Sequence, residues 1–181
     1  MTKIINLFKF IEKMKPEYPV PFKRKLISDP DSLTADELNV DRNRDLRNLD
    51  LRYTSIKSLP DNLTVSGFLD LSSTAITTLP NNLTVDGDLF CYSTKITSLP
   101  KNLKITVGGD LNLYAAKIKS LPNNLTVGGD LLLNSSEIIS LSATLKVGGD
   151  LYIRKTPISL KYTDIELKKM LPNIKGRISR F

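Results

Sequence analysis

LPDNLTVSGFLDLSSTAITT runs from Leu59 to Thr78, and close copies of it follow without a break. The second, LPNNLTVDGDLFCYSTKITS, starts at Leu79; the third, LPKNLKITVGGDLNLYAAKIKS, at Leu99. The fourth, LPNNLTVGGDLLLNSSEIIS, starts at Leu121 and the fifth, LSATLKVGGDLYIRKTPISL, at Leu141. The period is twenty residues, and only the third copy is longer, by two residues that the simplest alignment assigns to Lys104 and Ile105, with register regained at Val107. A repeat that absorbs an insertion without losing phase is a stack of turns, in which no single turn can bury its apolar face without its neighbours.

The columns of the stack show how one turn is built. Leu69, Leu89, Leu111, Leu131 and Leu151 form one column; Leu71, Cys91, Leu113, Leu133 and Ile153 form the next but one; Ile76, Ile96, Ile118, Ile138 and Ile158 form a third. A truncated copy with Leu49, Leu51, Thr54 and Ile56 comes first. From the valine column through the second leucine column, as in VGGDLNL at Val107 to Leu113, apolar and polar side chains alternate, which suits a strand with one buried face. The glycines permit a bend or close backbone approach just before it, and LPxNL supplies a proline-fixed corner. Thr74, Thr94, Ser136 and Thr156 stand where a hydroxyl can bond a backbone group of a curving chain. Successive turns are therefore expected to pair as parallel strands.

LDLSSTAITTLP, from Leu69 to Pro80, resembles the leucine-rich-repeat pattern LxLxxNxLxxLP with Thr in the usual Asn place. More narrowly, LPxNLTVxGxLxLxxTxI resembles leucine-rich-repeat-like proteins encoded by bacteriophages, prophages and some bacteria. The resemblance covers about residues 46–160. It implies a mainly β chain wound as a right-handed parallel β solenoid, with a partner-binding role. Loss of the Asn ladder and the VGG segment leave open a curved horseshoe or a flatter β-helix-like turn.

Three regions follow. Residues 46–160 are the solenoid, a partial turn plus five. Residues 1–45 hold Ile4, Leu7, Phe8, Ile11 and Met14 at helical spacing, then Pro16, Pro19 and Pro21, a linker that ends in Lys23, Arg24 and Lys25. The amphipathic helix is expected to cover the first open turn, its sharper readings being a membrane-surface or partner-binding helix. Residues 161–181 offer Thr163 as the cap of a second closing helix, with Ile165, Leu167, Met170 and Leu171 apolar and Pro172 as its stop; NIKGRISRF is expected to fray.

Composition narrows the function. The chain has 181 residues and net charge +7, and that excess sits at the ends: residues 1–25 hold seven Lys or Arg against two acids, residues 26–160 thirteen against fifteen, and residues 161–181 six against two. Histidine is absent, which removes the commonest general base and most zinc sites. Cys91, in a leucine column, is expected to be a buried, inert thiol. VGGD lacks the Lys-Ser/Thr continuation of a phosphate loop. No enzyme activity, cofactor or metal site is expected. Neither a secretory signal nor a membrane span is discernible, which predicts a cytoplasmic protein, in the host cytoplasm if the chain is phage-encoded.

What remains is display. Between the inward leucines, the outward column reads Asp50, Asp70, Phe90, Asn112, Leu132, Tyr152, and the next reads Arg52, Ser72, Tyr92, Tyr114, Asn134, Arg154. Phe90, Tyr92, Tyr114, Leu132, Asn134, Tyr152 and Arg154 are the candidate partner-binding residues, in the aromatic and Arg composition of interface anchors. Beside them an acidic row is expected, comprising Asp70, Asp88, Asp110, Asp130 and Asp150, which would repel phosphate. The partner is expected to be a protein, a host protein if the chain comes from a phage. The alternatives are a nucleic-acid binder acting through Lys23, Arg24, Lys25, Lys175, Arg177 and Arg180, or a structural and assembly protein.

Overall fold

The computed structural model describes residues 48–181 except 54–56, 60, 62, 101–103 and 106–108, and only the backbone of 104 and 105. The amino-terminal helix, the proline-rich linker, the Lys23–Arg24–Lys25 cluster, Leu46, Thr54, Ile56 and Val107 lie outside the described residues.

Alternation of buried and outward side chains gives each turn two short strands. In chain order these are β1 (Leu49–Asp50), β2 (Thr64–Val65), β3 (Leu69–Asp70), β4 (Thr84–Val85), β5 (Leu89–Phe90), β6 (Lys104–Ile105) and β7 (Leu111–Asn112). They continue as β8 (Thr126–Val127), β9 (Leu131–Leu132), β10 (Lys146–Val147) and β11 (Leu151–Tyr152). Two helices follow, α1 (Pro157–Lys161) and α2 (Asp164–Met170), and then β12 (Ile178–Ser179). The chain is thus mainly parallel β, a solenoid of about five turns with few helices.

A seven-stranded sheet runs β1-β3-β5-β7-β9-β11-β12, all parallel. Its register puts Leu49, Leu69, Leu89, Leu111, Leu131, Leu151 and Ile178 in one line, matching the sequence columns. The ladder extends past the named strands: Leu71 N donates to Phe90 O at 2.8 Å, and Ser93 N to Tyr114 O at 2.8 Å. Inside, the leucine and isoleucine columns and Cys91 form one continuous buried core.

The second side of the solenoid is divided. Among the described residues β2-β4-β6 form one sheet and β8-β10 another, with no pairing between β6 and β8. Here the structure corrects the alignment. Lys104 pairs with Thr84 and Ile105 with Val85, so Ile105 takes the valine position and the two extra residues fall between Ile105 and Gly109. The seven-stranded side stays in register, because Gly109, Asp110 and Leu111 resume the columns.

At the carboxyl end Thr156 caps α1 in a reciprocal box with Ser159, Pro157 opens the helix, and Ile158 stays buried. Thr163 caps α2 in a second box with Glu166, as its position before the helix predicts. Leu167 and Leu171 join the core, but Ile165 is 81% exposed, because the helix turns it away from the stack. The expected frayed end is a correction as well. Ile174 bridges Val147, Gly176 N donates to Gly149 O at 3.0 Å, and β12 pairs with β11. IKGRIS therefore repeats VGGDLY twenty-seven residues on, with the two helices inserted between.

Candidate functional site

Three outward columns cross the seven-stranded sheet. The first reads Asn48, Phe68, Asp88, Asp110, Asp130, Asp150, Arg177. Asp70 lies one column over, paired with Asp50 and Phe90, and so does not belong to the acidic row as expected. The row is knit by its own oxygens. Asp110 N donates to Asp88 Oδ1, Asp130 N to Asp110 Oδ1, Asp150 N to Asp130 Oδ1 and Arg177 N to Asp150 Oδ1, each at 2.7 Å. Phe68 N donates to Asn48 Oδ1 at 3.1 Å, so an amide oxygen performs the same task.

This stacking explains the glycine column. A Cβ on Gly129 would run into Asp110 Oδ1 and lie 3.0 Å from Gly109 O. Close approach of turns, and no positive φ, demands glycine there.

The middle column reads Asp50, Asp70, Phe90, Asn112, Leu132, Tyr152, Ser179 in strict register. Phe90, Leu132 and Tyr152 are half-buried, and Phe68 meets Phe90 edge-on with ring centroids 6.2 Å apart. The third column places Tyr92, half-buried, beside Tyr114, 46% exposed, followed by Asn134 and exposed Arg154. Arg154 N donates to Asn134 Oδ1 at 2.6 Å, so Asn134 also serves the stack. All seven candidate residues thus share one face over β5, β7, β9 and β11, about 15 Å at the usual interstrand spacing. Sequence reasoning missed two neighbours: Phe68, and Tyr53, whose hydroxyl lies 3.4 Å from that of Tyr92.

Charge differs from one end of the face to the other. Arg52 donates to both oxygens of Asp50 (3.0 and 2.8 Å) and lies 3.4 Å from Asp70, which itself accepts from Ser72 N at 2.9 Å. Arg177 reaches Asp150 Oδ2 at 3.1 Å. The Arg177 backbone N–H and then its guanidinium hold the Asp150 carboxyl below the usual range. Burial, with the charges of Asp130 and Asp150, raises the Tyr152 phenol; the bond to Tyr53, with partial burial, raises that of Tyr92. Both are neutral hydrogen-bonding aromatics near neutral pH.

Of the alternative basic residues, Lys175 and Arg177 are exposed, whereas Arg180 is turned inward. Arg180 pairs with Asp164 at 2.8 Å and donates to the carbonyls of Ser159 and Tyr162. Cys91 is buried and its thiol is pushed well up by desolvation. Among the described residues no group of three or more Cys, Asp or Glu side chains is arranged to hold a metal ion, and no helix is long and apolar enough to cross a membrane.

The chain matches no protein-family model, and neither the curated proteins nor the solved structures provide a counterpart. The functional reading therefore rests on the face itself.

Proposed function

We propose that this chain is a non-enzymatic protein-binding module that grips a macromolecular partner through Phe90, Tyr92, Tyr114, Leu132, Tyr152 and Arg154. The observation that carries the reading is the in-register stacking of apolar and aromatic side chains in two adjacent outward columns. Single exposed apolar groups need no partner, but a strip of large, conformationally stiff rings with an Arg at its border has the make-up of interface anchors. Cross-strand pairing of rings stabilises a sheet too, yet Tyr114, next to Tyr92 in its column, is still 46% exposed. On this reading the solenoid winds right-handed, the carboxyl-terminal helices close its end, and likeness to phage-encoded repeats makes a host protein, including one of a defence system, the partner.

The test is affinity capture from nuclease-treated bacterial lysate, with the wild type beside a Tyr92→Ser, Tyr114→Ser, Tyr152→Ser variant of unchanged fold. A stoichiometric protein retained by the wild type and weakened about a hundredfold or more in the variant is expected. Equal retention by both, or retention that nuclease abolishes, would reject the strip and favour the basic residues.

A further inference from the structure

The acidic row carries more charge than its structural task needs. Stacking requires only an oxygen acceptor for the next turn's N–H, and Asn48 shows that an uncharged amide oxygen suffices. Asp88, Asp110 and Asp130 instead stack like charges at about 4.8 Å, an arrangement that opposes folding. None of the three has a cationic partner among the described residues.

The fourth member of the row shows what such a carboxylate accepts. Asp150 gives Oδ1 to a backbone N–H at 2.7 Å, as the others do, and Oδ2 to the guanidinium of Arg177 at 3.1 Å. At Asp88, Asp110 and Asp130 the same Oδ1 bond is present, and no cation of the described residues meets the carboxylate. The three carboxylates border Phe90, Leu132 and Tyr152 on the same outward face.

We infer that the partner engages this face with an extended segment in which arginine or lysine recurs every third residue among apolar ones, its cations along the row from Asp88 to Asp130 and its apolar groups on the ring strip. This rests on the proposed binding face and names the chemistry of its occupant. An extended polyproline-type segment advances about 3.1 Å per residue, so basic residues three apart span about two turns of the stack, Asp88 to Asp130. Phosphate backbones are disfavoured by the same row.

The test uses the full chain and a short amidated peptide repeating arginine, proline and leucine, with its glutamate analogue as control, followed by calorimetry or anisotropy. Binding of the basic peptide alone is expected, weakening steeply with salt. It should fall about tenfold in an Asp88→Asn, Asp110→Asn, Asp130→Asn variant, which keeps every Oδ1 acceptor and hence the fold. The salt dependence of the wild type needs no variant. A peptide indifferent to salt or to the three amides overturns the inference, as does preference for the glutamate peptide or for single-stranded DNA. If the Tyr→Ser variant loses a captured partner that the Asp→Asn variant retains, the face survives and only its occupant is misjudged. If both variants retain it, the face falls too.

Discussion

Ala115 sits at φ 53°, in line with Tyr53, Ser73, Ser93, Ser135 and Lys155, all left-handed and none glycine. At this position each turn leaves the strand, and the residue's N–H still reaches the next turn, as Ser73 N does to Tyr92 O at 3.0 Å. The left-handed region costs an L-residue about 1–2 kcal/mol. Ser and Lys can offset part of that through local hydrogen bonds or solvent, whereas Ala has nothing to offer. Ala115→Gly should therefore stabilise by about 0.5–1 kcal/mol after its own chain entropy is counted. Ala115→Val should destabilise by more than 1 kcal/mol. Urea denaturation of both measures this, and a destabilising glycine would contradict the strain argument.

At the scale of elements, β12 is held by backbone pairing to β11 and by Arg177 on Asp150. The Asp150 carboxyl titrates below its ordinary 3.8 in the folded chain, so its contribution is complete above that value and fades as pH falls through it toward the lower folded one. Glu166, also lowered, by the Thr163 N–H and hydroxyl, fades in the same direction at the start of α2. Amide exchange at Arg177 and Ser179 should quicken beyond the intrinsic rate as pH falls below 3.8. In Asp150→Asn that acid step should shrink at β12 and persist at α2. An unchanged step at β12 would show that Arg177 does not tie the strand down.

For the whole molecule, the critical junction is the one between the third and fourth turns. There, among the described residues, no pairing joins β6 to β8, and the turns are held by the β7-β9 pairing, by Gly129 N on Gly109 O, by Asp130 N on Asp110 Oδ1 and by the core beneath. In a linear stack stability is a sum of turn and interface contributions, and the weakest interface parts first. Leu133, fully buried beside this junction, is the place to probe it. Leu133→Ala should destabilise by about 2–5 kcal/mol and separate unfolding into two transitions, with exchange protection from β8 onward differing from that of β1 to β6. A single transition with uniform loss of protection would mean that one pairing line suffices for cooperativity.

Periodicity alone predicted the parallel pairing, the inward leucine and isoleucine columns, the buried Cys91, the shared face of the candidate residues, and the hydroxyl bonds of Thr74, Thr94 and Thr156 to the carbonyls of Leu71, Cys91 and Ile153, though not at Ser136, whose buried hydroxyl has no partner among the described residues. These follow from local rules, since a strand alternates and a repeat places like beside like. The left-handed column carried no glycine or asparagine to announce it. The two extra residues were misplaced because Ile105 and Val107 are equally apolar, and only pairing partners decide between them. The last strand escaped notice because α1 and α2 break the period and Arg177 replaces the aspartate. Its docking is decided by Ile174 and Ile178 meeting Val147 and Leu151 across space, a contact between residues twenty-seven apart that only the assembled stack brings together.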